Sequence, residues 1–200
     1  MFTCPFFKGT FALLLALSLC ACGRSLPTQY YAFEGQTDDL IQDSLPRTTL
    51  RIARVALPQY LDRESLVLRK KGQVELQVDS LHLWAEPLSD GVRRILYHEL
   101  QKPLLARGIT LLPMATEKSG TYTLLVDISR LDGSFQEKAE IAAHWSLLHG
   151  DEVIKDGLFS ASQQITTSSY KGLVEAEGAL IRALGRHILE ALPGLPHKAR

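Results

Sequence analysis

The stretch that decides the fold is residues 124–165, LLVDISRLDGSFQEKAEIAAHWSLLHGDEVIKDGLFSASQQI. Leu124, Val126 and Ile128 recur at every second position, and so do Ile141, Ala143, Trp145 and Leu147. Successive side chains of a strand point to opposite faces, so each series predicts a strand with one buried face. Asp132-Gly133 reads as the turn signal between them. Gly150-Asp151 reads as a two-residue type II′ turn, because glycine at its first position accepts the positive φ that turn demands. A third antiparallel strand over residues 153–165 follows.

Downstream, Thr166-Thr167-Ser168-Ser169 supplies a hydroxyl N-cap for a closing helix whose Leu173, Ala176, Leu180, Leu184, Ile188 and Ala191 form one apolar stripe, with Pro193 as its stop. Upstream, Leu88, Val92, Ile95, Leu96 and Leu100 predict a second amphipathic helix. Pro87 suits its first turn, Glu86 and Asp90 complement its positive end, and Pro103 or Gly108 ends it. Val74, Leu76 and Val78 alternate with polar residues and predict another strand with one face buried. Residues 30–33, 48–57, 66–68 and 109–112 complete the β set, with Pro58 and Pro113 as stops. The order strands, helix, strands, helix predicts an α+β single domain: a mixed, largely antiparallel sheet with two main helices on one side.

With 46% hydrophobic and 22% charged residues the composition is globular, and 22 Lys+Arg against 22 Asp+Glu leave no net field to draw nucleic acid or an acidic membrane. The N-terminus is an address. Lys8 is its one charge, and the apolar run 11–19 is about half the length needed to span a bilayer. Leu19-Cys20-Ala21-Cys22 resembles a bacterial lipobox with Cys22 as the lipidated residue; the alternative is a plain signal peptide cut near Ala21. Gly23, in place of Asp, implies sorting to the outer membrane by the same resemblance. The expected organisation is a lipoprotein signal over 1–21, a lipidated tether and short strand over 22–47, a periplasmic α+β domain over 48–194, and a tail over 195–200. Loss of residues 1–21 removes Cys4 and Cys20 and leaves Cys22 alone, so no disulfide forms within the mature chain.

The sequence carries no nucleophile elbow, phosphate loop, zinc-protease helix or paired Cys-x-x-Cys, and no catalytic set, metal site or cofactor is expected. His144 and His149 are five apart on a predicted strand, on opposite faces, and do not form a ligand pair. Asp62, Glu64 and Glu86 read as solvated or capping carboxylates, and Arg69-Lys70-Lys71 as a turn in water. A hydrolase with a dispersed set would need a pocket joining several of Asp62, Glu86, His98 and His144. Two constellations stand out: Pro58-Gln59-Tyr60-Leu61-Asp62-Arg63, and Leu83-Trp84-Ala85-Glu86-Pro87-Leu88. Either Tyr60 and Trp84 plug the end of the sheet while Asp62, Arg63 and Glu86 bond locally, or the group is an exposed Tyr/Trp/Arg interface patch.

Val55-Ala56-Leu57-Pro58-Gln59-Tyr60-Leu61-Asp62-Arg63, Leu66-Val67-Leu68-Arg69, Trp84-Ala85-Glu86-Pro87-Leu88 and Tyr30-Tyr31 after the lipobox resemble the ABC-type transport auxiliary lipoprotein family, of the paraquat-inducible (PqiC) type. Phe33, where members often have Leu, is a minor departure. The resemblance implies a non-enzymatic outer-membrane lipoprotein facing the periplasm. It implies oligomerisation and docking to an inner-membrane system with mammalian-cell-entry (MCE) domains and a permease, which moves lipid between membranes. The interface or structural motif would then comprise Tyr60, Leu61, Asp62, Arg63, Trp84, Glu86 and Pro87. The other reading is a lipoprotein that activates or assembles another envelope complex, such as a peptidoglycan synthase.

Overall fold

A computed structural model describes residues 25–34, 48–70, 72–115 and 120–192. Cys22, most of the 34–47 loop, Lys71, Pro193 and the 195–200 tail lie outside the described residues. In chain order the elements are β1 (Gln29–Tyr31), β2 (Thr48–Ile52), β3 (Ser65–Arg69), β4 (Leu76–Trp84), α1 (Leu88–Ala106), β5 (Ile109–Leu111), β6 (Tyr122–Gly133), β7 (Lys138–His149), β8 (Glu152–Gln164) and α2 (Tyr170–Ala191).

The architecture is α+β, with the strands divided between two mixed sheets instead of sharing one. The larger runs β5-β2-β6-β7-β8 and the smaller β1-β4-β3. Strands β6, β7 and β8 form an antiparallel meander, to which β2 and then β5 add in parallel. The two alternating series end where their period requires: Leu124, Val126, Ile128, Ile141, Ala143, Trp145 and Leu147 are all buried. They face α2, whose Leu173, Ala176, Leu180, Leu184 and Ile188 are buried in turn. Helix α1 packs on α2 and β5. Ser169 caps α2 by accepting the Gly172 N–H at 3.2 Å. Arg107, just beyond α1, donates Nη1 to the Leu189 and Leu192 carbonyls at 2.9 and 3.0 Å, placing a cation on the negative end of α2. The Gly150-Asp151 turn joins β7 to β8 with Gly150 at φ 62°.

Several expectations are corrected. Asp132-Gly133 is not a turn. Strand β6 continues through both, and the chain reverses at residues 134–137. A carboxylate tolerates the strand interior here because two arginines reach it. Arg69, read as solvated, is one of them: it sits on β3 and bonds Asp132. Pro103 does not end α1, which continues to Ala106 and stops where Gly108 adopts φ 75°. The proline removes one N–H bond near the helix end, a cost offset by burying Leu104 one residue later. The strand read over 48–57 pairs only to Ile52, after which Ala56 makes an isolated bridge to Asp127.

Of the Val74, Leu76, Val78 face only Leu76 packs against the core: Val74 is 94% and Val78 45% exposed. The β3–β4 hairpin reaches past the packed layers, and Val74 stands over an open cleft lined also by Ser134 and Lys138. Beyond Val78 the alternation is interrupted. Asp79 Oδ1 accepts the N–H groups of Leu81 and His82 at 2.7 and 3.2 Å, and the β3–β4 register shifts between Ser65 and Val67. Its other oxygen accepts Tyr170 Oη at 2.9 Å, tying the small sheet to the start of α2. Burial opposes the charge on Asp79, but hydrogen bonds from His82, the Leu81 N–H and Tyr170 prevail and lower its pKa to about 2.

Candidate docking site

Proline at position 58 opens a tight turn whose carbonyl accepts the Leu61 and Asp62 N–H groups at 2.9 and 3.2 Å. The turn divides its residues between core and solvent. Leu61 enters the core, while Asp62 and Arg63 are exposed. Tyr60 is half-buried and donates its hydroxyl to Asp132 Oδ2 at 3.2 Å. Burial and the Asp132 carboxylate push the Tyr60 phenol up to about 12.

The second constellation lies at the end of β4. Trp84 is 8% exposed, donates its N–H to the Glu64 carbonyl at 2.6 Å, and pairs with Tyr31 in the parallel β1–β4 register. Ala85 N–H reaches the Tyr31 carbonyl at 2.7 Å. The indole packs at 4.9 Å between centroids on Phe33, which is itself buried. Phe33 occupies a notch between the helices: a Cβ at Gly91 would come within 3.0 Å of its ring and one at Gly178 within 3.4 Å. The Glu86 carboxylate pairs with Arg94, and Arg94 Nη1 donates to the Phe33 carbonyl at 3.2 Å. Pro87 starts α1, its carbonyl accepting the Asp90 and Gly91 N–H groups. The Trp84-Ala85-Glu86-Pro87 run therefore fastens residues 29–33, the segment that leads back toward Cys22.

Asp62, Arg63, Trp84, Glu86 and Pro87 converge on one open depression of about 520 Å³. Tyr60 and Leu61 do not line it. Tyr30, 67% exposed, joins the rim together with Glu64. Its lining includes neither His98 nor His144, so the dispersed catalytic set is not assembled there; His144 instead lies 3.4 Å from Asp156 on the far sheet face. Among the described residues no group of three His, Cys, Asp or Glu is placed to hold a metal ion, and no helix is long and apolar enough to cross a membrane. The rim is chemically an adhesive surface: one cation, three carboxylates, a phenol, and the edge of an indole in a concave frame.

Sequence reading missed the group that supports this site from below. Asp132 is fully buried and takes Arg69 Nε and Nη2, both at 2.7 Å, together with Arg130 at 3.2 Å and Tyr60. Burial works against its charge, but the two guanidinium groups hold its pKa below the usual carboxylate range. Glu177 of α2 is also buried, and burial plus the Asp132 charge raises its pKa well above normal. The only sequence signal for this cluster is a charged residue interrupting an apolar series.

A family model described as ABC-type transport auxiliary lipoprotein component matches residues 34–189. A crystal structure of an uncharacterized protein is similar with a TM-score of 0.69 and 20% identity, covering 83% of this chain and 99% of that one. A crystal structure of a Xanthomonas campestris protein gives a TM-score of 0.62 at 18% identity over 81% and 93% of the two chains. Both likenesses are of the fold. No curated protein matches the chain.

Proposed function

The chain belongs to the ABC-type transport auxiliary lipoprotein family, and from that premise we propose that it is a non-enzymatic docking subunit of an MCE-type intermembrane lipid transporter. It is anchored in the outer membrane through a lipid on Cys22, faces the periplasm, and works as a homo-oligomer. The observation that carries this reading is the position of the 520 Å³ depression directly beside the docked N-terminal segment. From Cys22 to Gln29 the chain spans at most about 25 Å when extended. A lipid at Cys22 would thus hold the rim formed by Tyr30, Arg63 and Glu86 near the membrane surface, where the end of a partner reaching across the periplasm must arrive. The exposed Arg63 and Tyr30 supply the residue types that dominate interface energies.

The test is a detergent-solubilised pull-down of the tagged full-length protein from its native envelope, with mass spectrometry of what is retained. Enrichment of an MCE-domain protein with its permease supports the reading. A peptidoglycan synthase in its place, with no MCE protein, overturns it in favour of an envelope-enzyme activator. Cys22→Ala in parallel is expected to move the protein from the membrane fraction to the soluble periplasm, and unchanged membrane retention rules out the anchor.

A further inference from the structure

Strand β8 is the outermost strand of the larger sheet, and among the described residues no strand pairs with its outer edge. It is 13 residues long, about twice the common strand length. Such an edge presents a row of unpaired backbone donors and acceptors. Proteins protect one with proline, lysine, bulges or brevity. Here the protection is confined to one end: Lys155, and an irregularity where the β7–β8 register shifts between Leu147 and Leu148. From Gly157 to Gln164 the edge reads GLFSASQQ, regular in register, without charge and without proline. Leu158, near the middle of the strand, is 79% exposed.

We propose that this edge pairs with the same edge of a second copy of the chain, β8 against β8 and antiparallel, about a two-fold axis at Leu158, so that the two sheets become one. Symmetry and charge select this arrangement over others. A two-fold axis normal to the sheet requires directly opposed residues to share a face, so one residue must lie opposite itself. With Leu158 there, the two exposed leucines cover each other. Lys155 then lies opposite the partner copy's Ala161, and Asp156 opposite its Ser160. The charges of β8 all fall between Glu152 and Asp156, so the antiparallel arrangement sets the charged half of each strand against the uncharged half of the other. An in-register parallel pair would set every charge on its twin, which is destabilising.

The test uses full-length lipidated protein in detergent. Opposed Cβ atoms at the axis lie about 5 Å apart, close to what a disulfide spans. Leu158→Cys is expected to give a disulfide-linked dimer under mild oxidation. Leu125→Cys, on the same sheet face but two strands inward, is the control; five strand spacings of roughly 4.8 Å separate it from its twin, so it should not cross-link. Leu158→Arg sets two cations face to face and is expected to weaken dimerisation at least about tenfold by sedimentation, with the melting profile of the dissociated protein unchanged. A monomeric wild type overturns the proposal. So does an oligomer that Leu158→Arg leaves intact and Leu158→Cys fails to cross-link. The pairing deepens the homo-oligomer of the docking reading, but its readout involves no transporter partner, so capture of an MCE-domain protein can succeed where this pairing fails.

Discussion

Arg69 holds Asp132 through two parallel hydrogen bonds, Nε to Oδ1 and Nη2 to Oδ2, each 2.7 Å long. The residues belong to different sheets, β3 and β6, so this one fork joins the smaller sheet to the larger beneath the turn that carries Asp62 and Arg63. Its acceptor is fully buried, which makes the pair costly to form and costlier to break.

Removing Arg69 leaves the buried carboxylate with only the longer bonds from Arg130 and Tyr60, each 3.2 Å. Arg69→Met is therefore expected to lower unfolding stability by about 3 to 5 kcal/mol in urea titrations, whereas Tyr60→Phe, which deletes one neutral donor to the same acceptor, is expected to cost about 1 kcal/mol. The pH dependence has a definite sign. The folded pKa of Asp132 is lowered, so its contribution is present above the unfolded carboxylate value and is lost as pH falls through the folded one. Wild-type stability should decline below about pH 4, and Asp132→Asn should be less stable at neutral pH with a shallower acid decline.

Glu177 has the opposite sign. Its folded pKa is raised, so folding is favoured while the group is protonated in both states, and stability falls as pH rises from the unfolded value toward the folded one. Glu177→Gln keeps the shape and removes the ionisation. The variant is expected to melt a few degrees above wild type at pH 7 and to converge with it near pH 4. A variant less stable at both pH values would show that the carboxyl group makes a contact the amide cannot replace.

The elements that were legible in sequence are those whose register is set by one repeated contact. Ile141 to Leu147 reads correctly because every second residue meets the same helix layer, and the 166–169 hydroxyl cluster reads as a cap because one member, Ser169, accepts an N–H three residues on. Val74, Leu76 and Val78 have the same period, yet only Leu76 meets the core, since alternation specifies which residues share a face and not whether another layer covers all of it. Asp132 is misread for a related reason: Asp-Gly is a turn signal only while the carboxylate needs water, and its partner Arg69 lies 63 positions upstream. At the candidate site the motif residues are legible as a group, yet their division is not. Trp84 and Leu61 go inward while Arg63 and Asp62 go outward, a consequence of the turn at Pro58 and the end of β4.

Phe33 is the bolt that fixes the N-terminal segment to the helices. Phe33→Ala leaves the notch between Gly91 and Gly178 unfilled and is expected to cost about 3 to 5 kcal/mol as a buried aromatic truncation. Gly91→Val acts from the other side by placing carbon where the ring lies. Both variants should speed amide exchange and proteolysis at residues 29–33 ahead of the β6–β8 meander. Uniform loss of protection across the whole domain would show instead that the segment is integral to the fold.

The rim and its support should separate under mutation. Arg63 is exposed, so Arg63→Glu leaves the packing intact and should keep the wild-type melting temperature. It reverses the one positive charge among Asp62, Glu64 and Glu86, and partner capture from the envelope should fall if the depression is where the partner binds. Trp84→Ala removes an indole packed on Phe33 and should cost about 3 to 5 kcal/mol, losing capture through loss of the site's frame. The pair distinguishes contact from scaffold: capture lost with stability kept at Arg63 assigns binding to the rim. If capture survives Arg63→Glu and falls only in variants that also lose stability, the depression is a by-product of how the N-terminal segment is fastened, and the partner binds another face.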